Sequence, residues 1–151
     1  MGTPAHFDEQ AVRRVARVLR GLGCLDLLAL LTVVLPRPWI ELAHEWAGLG
    51  ALPEGPVVGY LIRSASALYA LHGAAAVYLS FDVVRYWGLI RFLGLAALIH
   101  GAVMLGIGIN EGMPLWWQCV EGPAFSATGA VMLFLQWRAG GRGDGAKPAP
   151  G

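Results

Sequence analysis

Charged residues are scarce in this chain. Only 14% of its 151 residues are charged and 56% are hydrophobic, with a mean hydropathy of +0.57. A soluble domain of this size carries about 25% charge and about 45–50% apolar residues. The imbalance excludes a disordered chain, a nucleic-acid binder and an ordinary water-soluble enzyme. Lys and Arg number 11 against 10 Asp and Glu, a net charge of +1, so no global field recruits a polyanion. Cysteine is nearly absent, with Cys24 and Cys119 alone. No CxxC or zinc spacing exists, and both thiols read as small apolar filler. A Gly-rich phosphate loop, a nucleophile elbow, H-E-x-x-H and a Ser/His/Asp arrangement are all missing. No run of carboxylates marks a proton or cation pathway.

What the chain has is long apolar blocks. A spanning helix needs about 20 mostly apolar residues at about 1.5 Å each. Four blocks qualify, at about 21–35, 57–80, 88–109 and 114–137. The first is lengthened by the helical stretch before it and stopped by Pro36-Arg37-Pro38, since proline lacks a donor and restricts its predecessor. It reads as a signal anchor, because no small-x-small cleavage site follows it before Pro36. Asn110-Glu111-Gly112 makes a tight turn, and Gly122-Pro123 is expected to kink the fourth block. The expected fold is an all-α integral membrane four-helix bundle over residues 1–138, with residues 139–151 a disordered tail rich in Gly, Pro and Ala.

Orientation follows from Lys and Arg. One side receives Arg13, Arg14, Arg17, Arg20, Arg85, Arg91, Arg138, Arg142 and Lys147, and the other only Arg37 and Arg63. Both termini are therefore expected in the cytoplasm, with the protein multi-pass in the inner membrane. Trp39, Trp46, Trp87, Trp116, Trp117 and Trp137 all fall at predicted membrane–water boundaries, where indole is most at home. On this topology Cys24 and Cys119 lie in opposite thirds of the bilayer and cannot meet.

In the first outer loop, Trp39, Leu42, Ala43 and Trp46 share one helical face, with Glu41, His44 and Glu45 opposite. That pattern predicts a short helix lying in the headgroup plane. Glu41 and His44 also have the spacing of a Glu-x-x-His metal motif, but no second carboxylate cluster accompanies it. They read as a solvated face, and no metal site is expected.

Ionisable residues within spans must be paired, hydrated or snorkelling. Asp26 and Arg91 sit roughly 9 and 6 Å inside one boundary, Arg63 and Glu121 roughly 9 and 10 Å inside the other. The matched depths predict two structural ion pairs, Asp26 with Arg91 and Arg63 with Glu121; snorkelling of each arginine alone is the alternative. An internal echo accompanies them. Leu61-Ile62-Arg63 precedes His72-Gly73-Ala74 as Leu89-Ile90-Arg91 precedes His100-Gly101-Ala102, at an offset of 28 residues, and Thr128-Gly129-Ala130 follows 28 residues later. A true repeat would relate the middle spans by a two-fold axis in the membrane plane, exchanging Asp26 with Glu121.

Arginine and histidine within each repeat lie on opposite helix faces, nine residues at about 100° each. Small residues accompany the arginines: Ser66, Ala70 and Ala74 with Arg63, and Gly94, Gly101 and Gly108 with Arg91. Those stripes are expected to be the packed faces, leaving His72 and His100 pointing away. Two mid-membrane histidines on adjacent helices are also the elements of a bis-histidine haem site, although their depths differ by about 6 Å.

The layout resembles small four-span bacterial inner-membrane proteins of the loosely defined DoxX-like group. The likeness rests on size, span count, the arginine in Tyr60-Leu61-Ile62-Arg63-Ser64 and the Gly/Ala-rich third span. It implies a four-helix membrane bundle, sometimes linked to redox partners, and transfers no catalytic residue. The functional expectation is a non-enzymatic accessory or scaffold subunit without a cofactor, its partners being the lipid bilayer and another membrane protein or a second copy. A haem- or quinone-associated redox subunit using His72 and His100 is the second reading. A small-substrate carrier with a cavity lined by Arg63 and Glu121 is the third.

Overall fold

The computed structural model describes residues 8–140, which are helical apart from turns and connecting loops. Six helices follow in order among them: α1 (Glu9–Leu27), α2 (Leu30–Val34), α3 (Arg37–Trp46), α4 (Pro56–Leu79), α5 (Trp87–Asn110) and α6 (Leu115–Gly140). Asp8 caps α1, its carboxylate accepting from the Gln10 amide at 2.9 Å, which satisfies one of the orphan donors of the first turn. The first apolar block is therefore not one helix beginning near Gly21. It is the end of α1, an interruption at Leu28 and Ala29, and the single turn and a half of α2. Pro56 occupies the first turn of α4, where its missing N–H is harmless.

The α5–α6 connection shows why the Asn110-Glu111-Gly112 turn is so short. Gly112 has φ of 66°. Its N–H bonds the Ile109 carbonyl, and the Met113 N–H reaches back to Gly108. This pair of bonds closes a helix with a left-handed residue just past its end, and glycine takes that conformation without cost. At the other end of α6, helix continues through Ala139 and Gly140, two residues into the expected tail; the remainder of that tail lies outside the described residues. Pro123 is inside α6, which runs on without a break in helix assignment.

The helices associate as two close pairs, α1 with α4 and α5 with α6, joined through contacts of α1 with α6. Consecutive α4 and α5 share no substantial interface. Each pair is tight because glycine faces glycine. A Cβ on Gly23 would lie 2.6 Å from the Gly73 carbonyl oxygen, and one on Gly122 would lie 2.7 Å from that of Gly101. Gly129 likewise abuts the backbone of Gly94 and Leu98. Backbones approach this closely only where no side chain intervenes. The small-residue stripe of α5 is thus a packed face, as expected. On α4 the buried small residues are Ala70, Gly73 and Ala76; Ala70 belongs to the Arg63 stripe, whose Ser66 is half-buried and whose Ala74 is exposed, so packing follows that stripe in part and then turns toward Gly73 and Ala76.

One compact core joins all four long helices at the end holding the 80–86 turn. It comprises Val15, Leu19, Ala76, Leu79, Val83, Ile90 and Met132. Gln136 donates to the Trp87 carbonyl at 3.0 Å, and Arg20 donates to the Ser80 hydroxyl at 3.3 Å. Away from this end the helices splay around a cleft. Among the described residues, thirty large hydrophobic side chains are exposed and ten hydrophobics are buried. By length and apolar composition, α5 is the one described helix able to cross a membrane.

The glycine contacts generate a test. Gly23→Ala and Gly101→Ala should each lower the unfolding midpoint, since overpacking costs about 1–3 kcal/mol. Gly106→Ala, on α5 with nothing within 4 Å of its added methyl, should be neutral or stabilising. Thermal unfolding of the three variants reads this directly; equal effects at all three sites would contradict the close approach.

Candidate functional site

The cleft has a volume of about 620 Å³ and draws its lining from α1, α4, α5 and α6. It exists because α4 and α5 each bind a different partner helix and leave the space between themselves unfilled. Leu, Ala and Ile side chains supply most of its walls. The polar exceptions are Asp26 from α1, Tyr69 and His72 from α4, His100 from α5 and Thr128 from α6.

Asp26 lies one turn beyond Gly23, and His72 immediately precedes Gly73. Where the two glycines meet, these side chains are brought together: His72 Nδ1 stands 2.8 Å from Asp26 Oδ2. The His72 imidazole thereby takes the place beside Asp26 that sequence depth assigned to Arg91. Arg91 is exposed on α5, and its expected pairing with Asp26 does not form. The reason is register: the glycine contact fixes α1 against α4, whereas α1 and α5 share no substantial interface.

His100 also lines the cleft, edge-on to Phe125 with ring centroids 5.0 Å apart and planes at 88°. Phe125 meets Tyr69 on its other side at 6.0 Å. Tyr69, Phe125 and His100 form a continuous aromatic wall drawn from three helices. Tyr69 is within electrostatic reach of both Asp26 and Glu121. The two histidines are exposed and turned off the packed glycine faces, and both line the common open cleft. The 28-residue echo acquires a physical meaning here. Gly73 and Gly101 perform the same close contact in the two helix pairs, and each presents the preceding histidine to the cleft. By that register Asp26, three residues beyond Gly23, corresponds to Phe125, three beyond Gly122, and not to Glu121.

The second expected ion pair is also replaced. Arg63 donates to the Thr32 carbonyl at 3.3 Å, to Val33, and to Leu35 at 2.9 Å. These carbonyls end α2, where the intrahelical acceptors lose their partners and the next residue, Pro36, has no N–H to offer. A guanidinium is well suited to such a helix end, both as a fork of donors and as a charge opposite the dipole. Glu121 instead accepts from the Trp117 indole at 2.6 Å. A helix-capping role for Arg63 was hidden from sequence because it depends on α2 being a separate piece; the proline pair after it was the available signal.

The Glu41-x-x-His44 motif is dispersed. Glu41 binds Arg37 at 2.6 Å, and His44 Nδ1 meets the Gly50 carbonyl at 2.8 Å. No cluster able to hold a metal ion is present among the described residues. Cys24 and Cys119 are both free and exposed. Comparison with protein-family models, curated proteins and solved structures found no match to the chain.

Hydrogen bonds to a charged group contribute about 1.5–3 kcal/mol net, so Arg63→Ala should destabilise by that order. Because Arg63 and Glu121 bind different partners, Arg63→Ala and Glu121→Ala should add to within about 0.5 kcal/mol. A double-mutant cycle in chemical denaturant measures it, and a coupling above about 1 kcal/mol would restore a direct pair.

Proposed function

We propose that the chain is a multi-pass protein of the bacterial inner membrane, crossing four times, and that it acts as a non-enzymatic accessory or scaffold subunit. The crossings would be α1 continued by α2, then α4, α5 and α6. The observation carrying this reading is the inverted burial. Exposed side chains outside the cleft include Val57, Leu61, Phe92, Leu95, Ile99, Val103, Val131 and Phe134, along three helices of 24, 24 and 26 residues. At about 1.5 Å per residue each exceeds the roughly 30 Å hydrocarbon core. In water so large an apolar surface would be an aggregation liability; in lipid it is the expected exterior.

Polar groups on α4 and α6 fit the same reading, since hydrocarbon leaves them no water. Arg63, Gln118 and Glu121 all find partners within the protein. On α3, Trp39, Leu42 and Trp46 are exposed on one face, which supports placement in the outer headgroup plane. The apolar cleft and outer faces favour association with lipid-phase components, a second copy or another membrane protein.

The redox reading retains one specific support. Asp26 engages His72 Nδ1, which leaves Nε2 as a ligand, and a carboxylate behind the distal nitrogen is how metal-binding imidazoles are oriented. His100 lines the same cleft. The accessory reading expects a colourless protein from haem-replete cells. A Soret band lost in either His72→Ala or His100→Ala would replace it with haem binding.

Topology is tested separately. The protein should stay in the pellet on alkaline carbonate extraction. A reporter fused after Gly151 should read cytoplasmic. Cys24 should react with a membrane-impermeant maleimide only after detergent, and Cys119 slowly from outside. A periplasmic reporter at Gly151 would require an odd number of crossings and defeat the topology.

A further inference from the structure

The cleft has a charge pattern that narrows what it accepts. Asp26 is its carboxylate, and neither lysine nor arginine is among its lining residues. The nearby guanidiniums are engaged elsewhere: Arg63 on the α2 carbonyls, Arg20 on Ser80 and over the Phe81 ring at 5.3 Å. Nothing in the cleft therefore balances an anionic ligand. Lining the same cleft are the rings of Tyr69, Phe125 and His100, and the face of an aromatic ring attracts a cation through its quadrupole. Its volume falls within the about 300–1,000 Å³ typical of drug-sized ligands, and the walls are otherwise apolar.

We infer that the cleft binds a lipophilic organic cation, its charge set against Asp26 and His72 and its apolar body against the Tyr69–Phe125–His100 wall. The inference rests on the membrane reading above, because such a molecule enters from the lipid phase between α4 and α5. Asp26 is the one carboxylate lining the cleft, and no charged side chain of α6 stands beside it there.

Tetraphenylphosphonium is a suitable probe, with triphenylphosphine oxide as the neutral counterpart. Equilibrium dialysis against the full-length protein in detergent, corrected with empty micelles, should give saturable binding of the cation. The neutral compound should bind at least about tenfold more weakly, a difference of about 1.4 kcal/mol. Asp26→Asn should lose about tenfold, and Arg91→Gln, away from the cleft, should bind as the parent. Equal binding of charged and neutral probes, or undiminished binding by a folded Asp26→Asn, would overturn the inference. If Asp26→Asn does not fold, the charged and neutral probes on the parent protein still decide. A protein that resists carbonate extraction yet binds no cation loses this inference alone; one released by carbonate loses the membrane reading beneath it.

Discussion

Backbone contact between glycines governs most of what this bundle does. Gly23 against Gly73 and Gly101 against Gly122 bring two pairs of helices so close that a methyl group at any of these positions would overlap opposing backbone. Contacts this close let opposing backbones gain dispersion attraction that side chains would otherwise block. The consequence is asymmetric. α4 and α5 each commit their smallest face to an outer partner, so they cannot also pack on each other. The space left between them is the cleft.

The same contacts choose the polar chemistry of that cleft. A residue beside a buried glycine on a helix projects at the margin of the interface, neither sealed in it nor free of it. His72 and His100 occupy that position in the two pairs. What each meets depends on the residue one turn past the opposing glycine, which is Asp26 in one pair and Phe125 in the other. Two equivalent backbone arrangements thus yield one hydrogen-bonded acid–imidazole pair and one aromatic edge contact. A symmetric scaffold carries an asymmetric site.

The positions of α4, α5 and α6, the short helix α3 and the sharp α5–α6 turn were legible in the sequence, because apolar block length, proline placement and Asn-Glu-Gly are local signals. The α5 stripe of Gly94, Gly101 and Gly108 was legible too, being uninterrupted by larger polar residues. The ion pairs were not. Depth along a helix constrains one coordinate, whereas partner choice depends on azimuth and on which helices touch. Asp26 and Arg91 share a depth but belong to helices without a substantial interface. Arg63 shares a depth with Glu121, yet three unsatisfied carbonyls at the end of α2 stand nearer. That helix end was marked by Pro36, but which side chain would cap it depends on how α4 lies against α2, which the sequence does not show. The cleft itself was invisible for a related reason: it is an absence of packing between consecutive helices, and sequence neighbours are expected to pack.

Arg63 also shapes the cleft by not being in it. An arginine on α4 two and a half turns from His72 would, with a free guanidinium, compensate any carboxylate it could reach. Desolvated charges seek the best available partner, and three carbonyls at a helix end provide a fixed, undemanding one without a second ion. Arg63 is thereby held at the α2 terminus. Asp26 is left with an imidazole, a partner that is charged only in one of its protonation states. A guanidinium would have made the pair permanently neutral and inert. The imidazole instead meets Asp26 through one ring nitrogen, and no guanidinium lines the cleft beside it.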